Sequence, residues 1–418
     1  MEKEVLFTND AIVLGILMTV LAFVFITSGS KSPIWKKIYT YFPPVLACYF
    51  IPAVLNSLNI ISGEDSQLYF VSSRYLLPAC LVLLCLSIDL KGIINLGSKS
   101  IIMFFAATAG IIFGGPIAVL LVSAFAPELV GGSGPDEIWR GLATIAGSWI
   151  GGGANQTAMK EIYGASDVLF SQMIVVDVIV ANIWMGFLLY GATIAPKVDK
   201  WLKADSSAID ELKDKVEKYS ASIAKIPTLK DVVTILAIGF GATAIAHWSS
   251  EHISAFMQNY NDTLKAYNLT SLSSGFFWLV VIATTIGLGL SFTKFKKLEG
   301  AGASRIGSVF IYVLVASIGM NMDIIKVLDN LGLFAIGIVW MLVHVITLLI
   351  VAKLIKAPFF FVAVGSQANV GGAASAPVVA SAFSPALAPV GVLMAVLGYA
   401  LGTYGAIICA ELMQLASP

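Results

Sequence analysis

The chain has 418 residues, of which 58% are hydrophobic and only 12% are charged, and its mean hydropathy is +0.89. Soluble domains carry about 25% charged residues, so this composition predicts a protein of the lipid bilayer and argues against a soluble domain. The formal net charge is zero, which excludes the broad positive field by which proteins attract nucleic acid.

Ten apolar runs are long enough to cross a bilayer, which takes about 17–25 residues in a helix. The first run is expected to be a true span, because acids dominate the residues before it and no small-residue cleavage pattern follows it, unlike in a signal peptide. In chain order the runs are 11–29, 42–60, 73–90, 100–125, 168–194, 230–248, 273–292, 306–322, 332–352 and 387–411.

Two further apolar stretches, 141–163 and 357–381, are interrupted by glycine-rich motifs. The first motif is GSWIGGGANQTA (147–158) and the second is GSQANVGGAASA (365–376). Each arm beside a break has about 11–12 residues, or roughly 17 Å of helix, which reaches only the middle of a ~30 Å hydrocarbon core. The two stretches are therefore predicted to be re-entrant hairpins.

The positions of lysine and arginine favour the hairpin model through the positive-inside rule. With two hairpins, the basic loops all lie in the cytoplasm, while the acidic loops and both termini lie outside. A full crossing by 141–163 would move the basic loops at 294–305 and 353–356 to the outside. The polar segment 195–229, with charges of alternating sign at helical spacing, is then a cytoplasmic helical linker. The predicted location is the inner membrane of a bacterium.

The two halves of the chain resemble each other. CLSIDLKGIINLG (85–97) parallels ASIGMNMDIIKVLDNLG (316–332), and a further span and a Gly-Ser glycine motif follow each of them. Residues 1–194 and 230–418 would each hold five spans and one hairpin. Because five is odd, the second half enters the membrane upside down, as in the inverted repeats of secondary transporters.

The glycine motifs predict a solute site at mid-membrane. Backbone that leaves the helix inside a bilayer must line a cavity or be buried in protein. The carbonyl end of one arm suits a cation and the N–H end of the next arm suits an anion. The alternative is that the glycines only allow helices to pack closely. The predicted solute-binding residues are Ser148, Gly152, Gly153, Asn155, Gln156, Thr157, Ser366, Gln367, Asn369, Gly371, Gly372, Ser375, Tyr399 and Thr403.

Asp177 is the main candidate for the coupling ion, because a carboxylate in the middle of a span is costly and usually functional. A buried, protonated Asp177 bonded to a neighbour is the alternative. Asn182 and Asn321 are further candidates, and a sodium ion or a proton near the hairpin tips is the expected coupling ion; no other metal and no cofactor is expected. The single mid-span histidine, His344, is expected to be a satisfied core residue. The span-end acids Asp89 and Asp323 are expected to be solvated, and the four cysteines, Cys48, Cys80, Cys85 and Cys409, to be small core residues.

These motifs and the layout of spans resemble the family of YjcL-like membrane proteins, whose shared domain is known as domain of unknown function 819. That family is akin to the cation:proton antiporter and anion transporter superfamily, which includes sodium–glutamate and sodium–citrate symporters. The resemblance implies paired hairpins that bind solute at their tips, an elevator motion and a homodimer. Carried over by position, the tips are Gly151, Gly152, Gly153 and Asn155, with Gly371, Gly372 and Ser375.

One departure from those relatives limits the solute. Dicarboxylate and tricarboxylate carriers use an arginine near the end of the chain, whereas the three arginines here are Arg74, Arg140 and Arg305. The resemblance therefore favours a monocarboxylate, a zwitterion, a small peptide or a solute derived from the cell wall.

The sequence predicts an ion-coupled secondary transporter of a small organic solute. A channel, an exporter-like regulator linked to cell-wall turnover, and an importer of cell-wall-derived peptides or sugars are the alternatives. An enzyme is not expected, because the chain has no Gly-x-Ser-x-Gly or His-Glu-x-x-His motif.

Overall fold

A computed structural model describes residues 5–42, 44–63, 65–88, 93–94, 96–204, 209, 226–266, 270–321, 332–384 and 387–418. Within these ranges the regular structure is helical, apart from one isolated bridge between Phe7 and Ile61. The α-helices are α1 Asp10–Ser28, α2 Pro33–Tyr41, α3 Pro44–Ser57, α4 Leu68–Leu86, α5 Ser98–Phe125, α6 Ile138–Gly151, α7 Gly153–Tyr163, α8 Asp167–Thr193, α9 Ala195–Leu202, α10 Leu229–Gln258, α11 Asn261–Ala266, α12 Gly275–Ser291, α13 Ala303–Gly319, α14 Leu333–Ile355, α15 Phe359–Val370, α16 Gly372–Phe383 and α17 Ala388–Ala416.

Seven of these helices are long and apolar enough to cross a membrane, so the chain is a multi-pass membrane protein. They are α1, α4, α5, α8, α10, α14 and α17, and each coincides with a predicted span. The other three predicted spans form α3, α12 and α13, which are helices of 14 to 17 residues. Helix α12 continues into the 3₁₀ segment Lys294–Ala301 after a bend of 96°.

Polar residues at helix starts explain where several spans begin. Ser166 accepts a hydrogen bond from the N–H of Leu169 at the start of α8. At the start of α10, Thr228 and Asp231 form a capping box, in which each side chain accepts from the other residue's N–H. Helix α10 then runs to Gln258, about ten residues beyond the predicted end of its span. The residues after the apolar run are mostly polar and remain helical.

The described helices pack as two bundles. The six-helix bundle consists of α1, α3, α4, α10, α12 and α13. The eight-helix bundle consists of α5, α6, α7, α8, α14, α15, α16 and α17. Each half of the chain contributes three helices to the first bundle and four to the second, and the eight-helix bundle holds both glycine motifs.

The eight-helix bundle is held together by close helix contacts through small residues. On α5, an added Cβ at Gly110 would lie 3.2 Å from Cα of His344, and one at Gly114 would lie 2.8 Å from the ring of Trp340. The indole N–H of Trp340 also donates to the carbonyl of Ile111 at 2.8 Å. Close packing through glycine is common between helices in membranes. Close packing through glycine therefore also occurs outside the two motifs, between α5 and α14.

The predicted linker 195–229 lies mostly outside the described residues. Its first part is helix α9, which ends at Lys203 in a left-handed conformation. Leu202 is buried, and the carboxylate of Asp199 accepts the N–H of Phe359 at 2.7 Å, which ties α9 to the start of α15. Burial raises the pKa of Asp199. The landmarks Asp89 and Asp323 also lie outside the described residues.

Candidate functional site: two helical breaks beside the last helix

Helices α6 and α7 fold back on each other, and we call them hairpin 1 (138–163). At its open end, the guanidinium of Arg140 donates to the carbonyl of Tyr163, and the rings of Trp139 and Tyr163 are 5.4 Å apart. Nearer the break, an added Cβ at Gly147 would lie 2.5 Å from the carbonyl oxygen of Asn155. The two arms are therefore antiparallel and in backbone contact, and the chain leaves on the side where it entered.

Helices α15 and α16 form a second pair of this kind, hairpin 2 (359–383). The ring of Phe383 lies 6.1 Å from that of Phe359 and 5.3 Å from that of Phe360, so the open end is closed by aromatic contacts. Near the break, the amide Nε2 of Gln367 donates to Oγ of Ser375 at 2.8 Å. This bond joins the end of α15 to the start of α16.

Glycine is required at each break for its backbone conformation. Gly152 has φ +80° and Gly372 has φ +59°, values that L-residues rarely adopt. A Cβ on either residue would meet no atom within 4 Å, so space is not the constraint there. The breaks predicted from the two motifs lie at these residues.

Both tips lie against the same short stretch of α17. An added Cβ at Gly398 would lie 2.7 Å from the carbonyl oxygen of Ile150 in hairpin 1 and 3.5 Å from that of Ala368 in hairpin 2. One turn further on, Gly402 is in backbone contact with Gly151. The ends of the first arms of both hairpins thus meet beside Gly398, although they are more than 200 residues apart in the chain.

Hairpin 1 is anchored on its other side by Asp177 of α8. The buried carboxylate accepts three hydrogen bonds: from Oγ of Ser148 at 2.6 Å, from Nε1 of Trp149 at 2.6 Å and from Nε2 of Gln156 at 2.9 Å. The donors lie on both arms of the hairpin, so one carboxylate fixes the two arms relative to each other. Hydrogen bonds to a charged acceptor are stronger than neutral ones.

Hairpin 2 has a neutral anchor in place of the carboxylate. Buried Ser366 lies between His344 of α14 and Trp184 of α8. The carbonyl of Ala107 can only accept, so Nδ1 of His344 carries the proton for that 3.1 Å bond. Nε2 of His344 then accepts from Oγ of Ser366 at 2.8 Å, and Oγ accepts from Nε1 of Trp184 at 2.8 Å. Both ring nitrogens of a neutral His344 therefore have partners, as expected for a satisfied core histidine.

The profile of the family described as "Protein of unknown function (DUF819)" matches residues 15–415 of the chain. The chain belongs to the DUF819 family. It is also similar to the "Uncharacterized membrane protein YjcL" of Bacillus subtilis (strain 168), with 23% identity over 355 residues, which are 84% of this chain and 85% of the relative. The family resemblance carried by the two glycine motifs is thereby confirmed.

In this DUF819 protein, Asn155 and Asn369 make the same set of bonds in different hairpins. Nδ2 of each donates to the carbonyl four residues earlier, at 3.1 Å and 3.0 Å, and to a carbonyl of a long helix: Tyr399 at 3.1 Å for Asn155 and Phe104 at 3.3 Å for Asn369. A threonine one turn after that carbonyl donates to Oδ1 of the asparagine. The two donors are Thr403, at 2.6 Å from Asn155, and Thr108, at 2.8 Å from Asn369.

The structure does not bring every predicted site residue to the tips. Asn182 donates to the carbonyl of Val178 in its own helix, at 2.7 Å. Asn321 lies beside Gly63 at the end of α13, in the six-helix bundle. Thr157 bonds back to the carbonyl of Gly153 at 3.1 Å. Tyr399 takes part through its backbone carbonyl, which accepts from Asn155.

Other participants escaped the sequence reasoning. Trp149 is inside the first motif but has the appearance of a core aromatic residue. Thr108 is one of three hydroxyl residues in the long apolar run 100–125, and Trp184 is one of four aromatic residues in 168–194. In the sequence, each of these residues is only a hydrogen-bonding side chain within a span. Its role becomes visible when the structure shows its partner.

The two bundles meet through apolar packing and several polar contacts. Thr284 of α12 donates to Thr403 at 3.1 Å, because the proton of Thr403 is already donated to Asn155. At the open end of hairpin 1, the carboxylate of Glu161 accepts from Arg74 of α4 at 2.7 Å and from the hydroxyl of Tyr69. A second group of contacts joins buried Lys160 to Asp167 at 2.6 Å and to Tyr69 at 2.8 Å.

Proposed function

We propose that this DUF819 protein is a secondary active transporter that holds a small organic solute between the tips of hairpins 1 and 2. One observation carries the proposal: the first arms of both hairpins end against Gly398 of α17, inside one bundle. Two helix breaks that lie side by side are the arrangement in which transporters of this architecture bind solute, because helix ends have main-chain groups without partners in the helix.

The grouping of helices supports an inverted repeat. In each half of the chain, the first three predicted spans lie in the six-helix bundle, and the fourth span, the hairpin and the fifth span lie in the eight-helix bundle. This division is the one expected if the six-helix bundle is a scaffold and the eight-helix bundle moves past it as an elevator. We propose ten crossings and two re-entrant hairpins, both termini outside, the 195–229 linker in the cytoplasm of a bacterium, and a homodimer.

Asp177 is the best candidate for coupling to a proton or a sodium ion. Its carboxylate holds both arms of hairpin 1 through three donors. Protonation, or a cation bound beside it, would compete with at least one of these bonds and change the stability of the tip. A ligand can shift a conformational equilibrium only through such a difference between states.

An elevator motion must break the contacts between the bundles, which include apolar packing of α4 and α12 against α17 as well as hydrogen bonds. Thr284 with Thr403, and Arg74 with Glu161, are hydrogen bonds that can be exchanged for other partners. A site that transports rather than catalyses needs no nucleophile or cofactor, so we propose a carrier and not an enzyme.

The test is uptake by proteoliposomes under an imposed sodium or proton gradient. Accumulation of a solute above its external concentration supports a carrier, and solute flux that never exceeds equilibrium supports a channel. Cysteines replacing Thr284 and Thr403 should form a disulfide that blocks uptake reversibly, because it joins the bundles. A matched pair at Leu83 and Gly307, both in the six-helix bundle, should leave uptake unchanged when oxidised. Equal uptake with both disulfides would refute the elevator.

A further inference from the structure

Gln367 holds a hydrogen-bonding atom that nothing in the described part of the chain satisfies. Its Oε1 is buried without a partner, and the residue is only 2% exposed. The amide lies over Gly371, since a Cβ on Gly371 would collide with Nε2 of Gln367 and with Oγ of Ser375. The unpaired oxygen is therefore at the tip of hairpin 2, on the last turn of α15.

The surrounding polar groups make this oxygen an exception. Asn155, Asn369, Ser366 and Asp177 all have partners supplied by the protein. Buried acceptors in native proteins are nearly always paired, and an unpaired one loses its bonds to water without compensation. A donor from outside the described chain would remove this deficit.

The adjacent hydroxyl adds the complementary group. In the orientation that the Gln367 amide has here, Nε2 donates to Oγ of Ser375, and the hydrogen bonds of the described residues give the Ser375 proton no acceptor. Hairpin 2 thus offers an acceptor and a hydroxyl donor on the two sides of its break. An amide group, with one N–H donor and one C=O acceptor, matches that pair.

Two other ligands fit less well. A sodium ion prefers several oxygen ligands, whereas hairpin 2 offers one vacant buried side-chain oxygen among its described residues. A carboxylate would place a negative oxygen against Oε1. The buried cation of hairpin 1, Lys160, is already bonded to Asp167 and Tyr69 and so is committed elsewhere.

The geometry points to an amide-bearing solute, whose N–H donates to Oε1 of Gln367 and whose carbonyl accepts from Ser375. This inference rests on the proposed transport site and specifies the chemistry that the site selects. It assigns hairpin 2 the recognition of a neutral polar group.

The experiment uses three small probes that differ in N–H groups: acetamide, N-methylacetamide and N,N-dimethylacetamide. Binding to the purified full-length protein is measured by saturation-transfer NMR. We expect N-methylacetamide to bind the native protein about fivefold to tenfold more tightly than the dimethyl compound, which corresponds to one hydrogen bond. Gln367→Met should abolish the difference, and Asn182→Ala, which lies away from both tips, should keep it.

A melting-temperature measurement separates recognition from a structural role. Because Met has a similar shape and no unpaired oxygen, Gln367→Met should melt at the same or a higher temperature without probe. Gln367→Glu keeps the acceptor, so it should retain the preference for N–H probes. Equal binding of the three probes to the native protein, no detectable binding of any, or loss of the preference in Gln367→Glu would each overturn the inference.

The transport proposal is tested independently of the amide site. Uphill accumulation of a solute that is insensitive to Gln367→Met would leave the carrier intact and refute the amide site. Probe selectivity that depends on Gln367, without accumulation of any solute, would support the amide site and refute the carrier.

Discussion

The two hairpins share an architecture but are held in place by different chemistry. Each has a broken helix, a tip beside Gly398 and an asparagine that bridges to a threonine on a long helix. Hairpin 1 is fixed by the carboxylate of Asp177, whereas hairpin 2 is fixed by the neutral Ser366 network. In the proposed carrier, hairpin 1 would respond to the ion and hairpin 2 would recognise the solute.

The hairpins also differ in how they connect to the other bundle. Thr284 donates to Thr403, which donates to Asn155, so a chain of hydrogen bonds runs from the six-helix bundle to the tip of hairpin 1. The partners of Asn369, which are Thr108 and the carbonyls of Phe104 and Gly365, all belong to the eight-helix bundle. Movement of one bundle against the other would therefore disturb the hydrogen bonds at the tip of hairpin 1 before those of hairpin 2.

The largest expected effect comes from Gly151→Ala in the tip of hairpin 1. The new Cβ would lie 2.6 Å from Cα of Gly402 and 2.8 Å from the carbonyl oxygen of Gly398, and backbone atoms cannot move aside cheaply. We expect a loss of about 3 kcal/mol in the free energy of unfolding and loss of transport. Thermal melting in detergent and proteoliposome uptake are the measurements.

Two matched variants sharpen this first result. Gly153→Ala, where a Cβ meets nothing within 4 Å, should change stability by less than about 0.5 kcal/mol. Gly371→Ala in hairpin 2 should have an intermediate effect, because its clashes are with the side chains of Gln367 and Ser375, which can rotate. An equal loss in Gly151→Ala and Gly153→Ala would contradict the tight contact with α17.

The next effect in size is that of Asp177→Asn. An asparagine has one oxygen to accept with and turns its NH₂ towards a donor, so at least one of the three bonds to hairpin 1 is lost. We expect a loss of about 2 kcal/mol, as for hydrogen bonds to a charged group. Hydrogen exchange should rise in 147–157 and stay unchanged in 365–376.

Ser366→Ala provides the mirror experiment for hairpin 2. It removes the hydroxyl between His344 and Trp184 and should raise exchange in 365–376 only. If either variant loosens both hairpins equally, the two anchors are not separate. Ion dependence of uptake that survives Asp177→Asn would remove Asp177 from the coupling role.

A smaller effect is expected from the paired asparagines. Double-mutant cycles of Asn155→Ala with Thr403→Val, and of Asn369→Ala with Thr108→Val, should each give a coupling energy of about 1 kcal/mol in melting experiments. Similar values would show that the two bridges are equivalent in energy as well as in geometry. A coupling energy near zero in one cycle would show that only the other hairpin is stabilised by its asparagine–threonine bridge.

The smallest effect on stability is expected from Thr284→Val. It removes one neutral hydrogen bond between the bundles, so the change should be about 0.5–1 kcal/mol. Uptake rate should change more than stability, since this bond must break when the bundles slide. Thr108→Val, whose bond stays inside the eight-helix bundle, is the control, and the same change in rate for both would argue against the sliding interface.

Much of the local structure could be predicted from the sequence. Seven apolar runs form long helices at the predicted places, and the helix breaks lie at Gly152 and Gly372, inside the two motifs. These features depend on residues that are close in the chain: about twenty apolar residues make a span, and a backbone with positive φ favours glycine. The apolar run does not predict the end of α10, because residues 249–258, six polar and four apolar, continue the helix past it.

The partners of the polar residues were beyond sequence reasoning. Asp177 and Gln156 are candidates on sequence grounds, but their hydrogen bond, and the bond from Trp149, depend on how α8 packs against hairpin 1. Asn321 is a candidate for the coupling ion on sequence grounds, whereas in the structure it lies beside Gly63 in the six-helix bundle. A span's sequence gives the depth of a residue in the membrane but not the direction it faces.

The sequence by itself determined that this chain lies in a membrane, where its helices break, and to which family it belongs. Only the tertiary structure decided that Gly398 lies between two tips and that Asn155 and Asn369 have equivalent partners. The physical reason is separation along the chain: apolar length and glycine conformation are set within a few residues, whereas contacts such as these join residues that are 29 to 261 positions apart. Such contacts form only when the helices of both halves pack together.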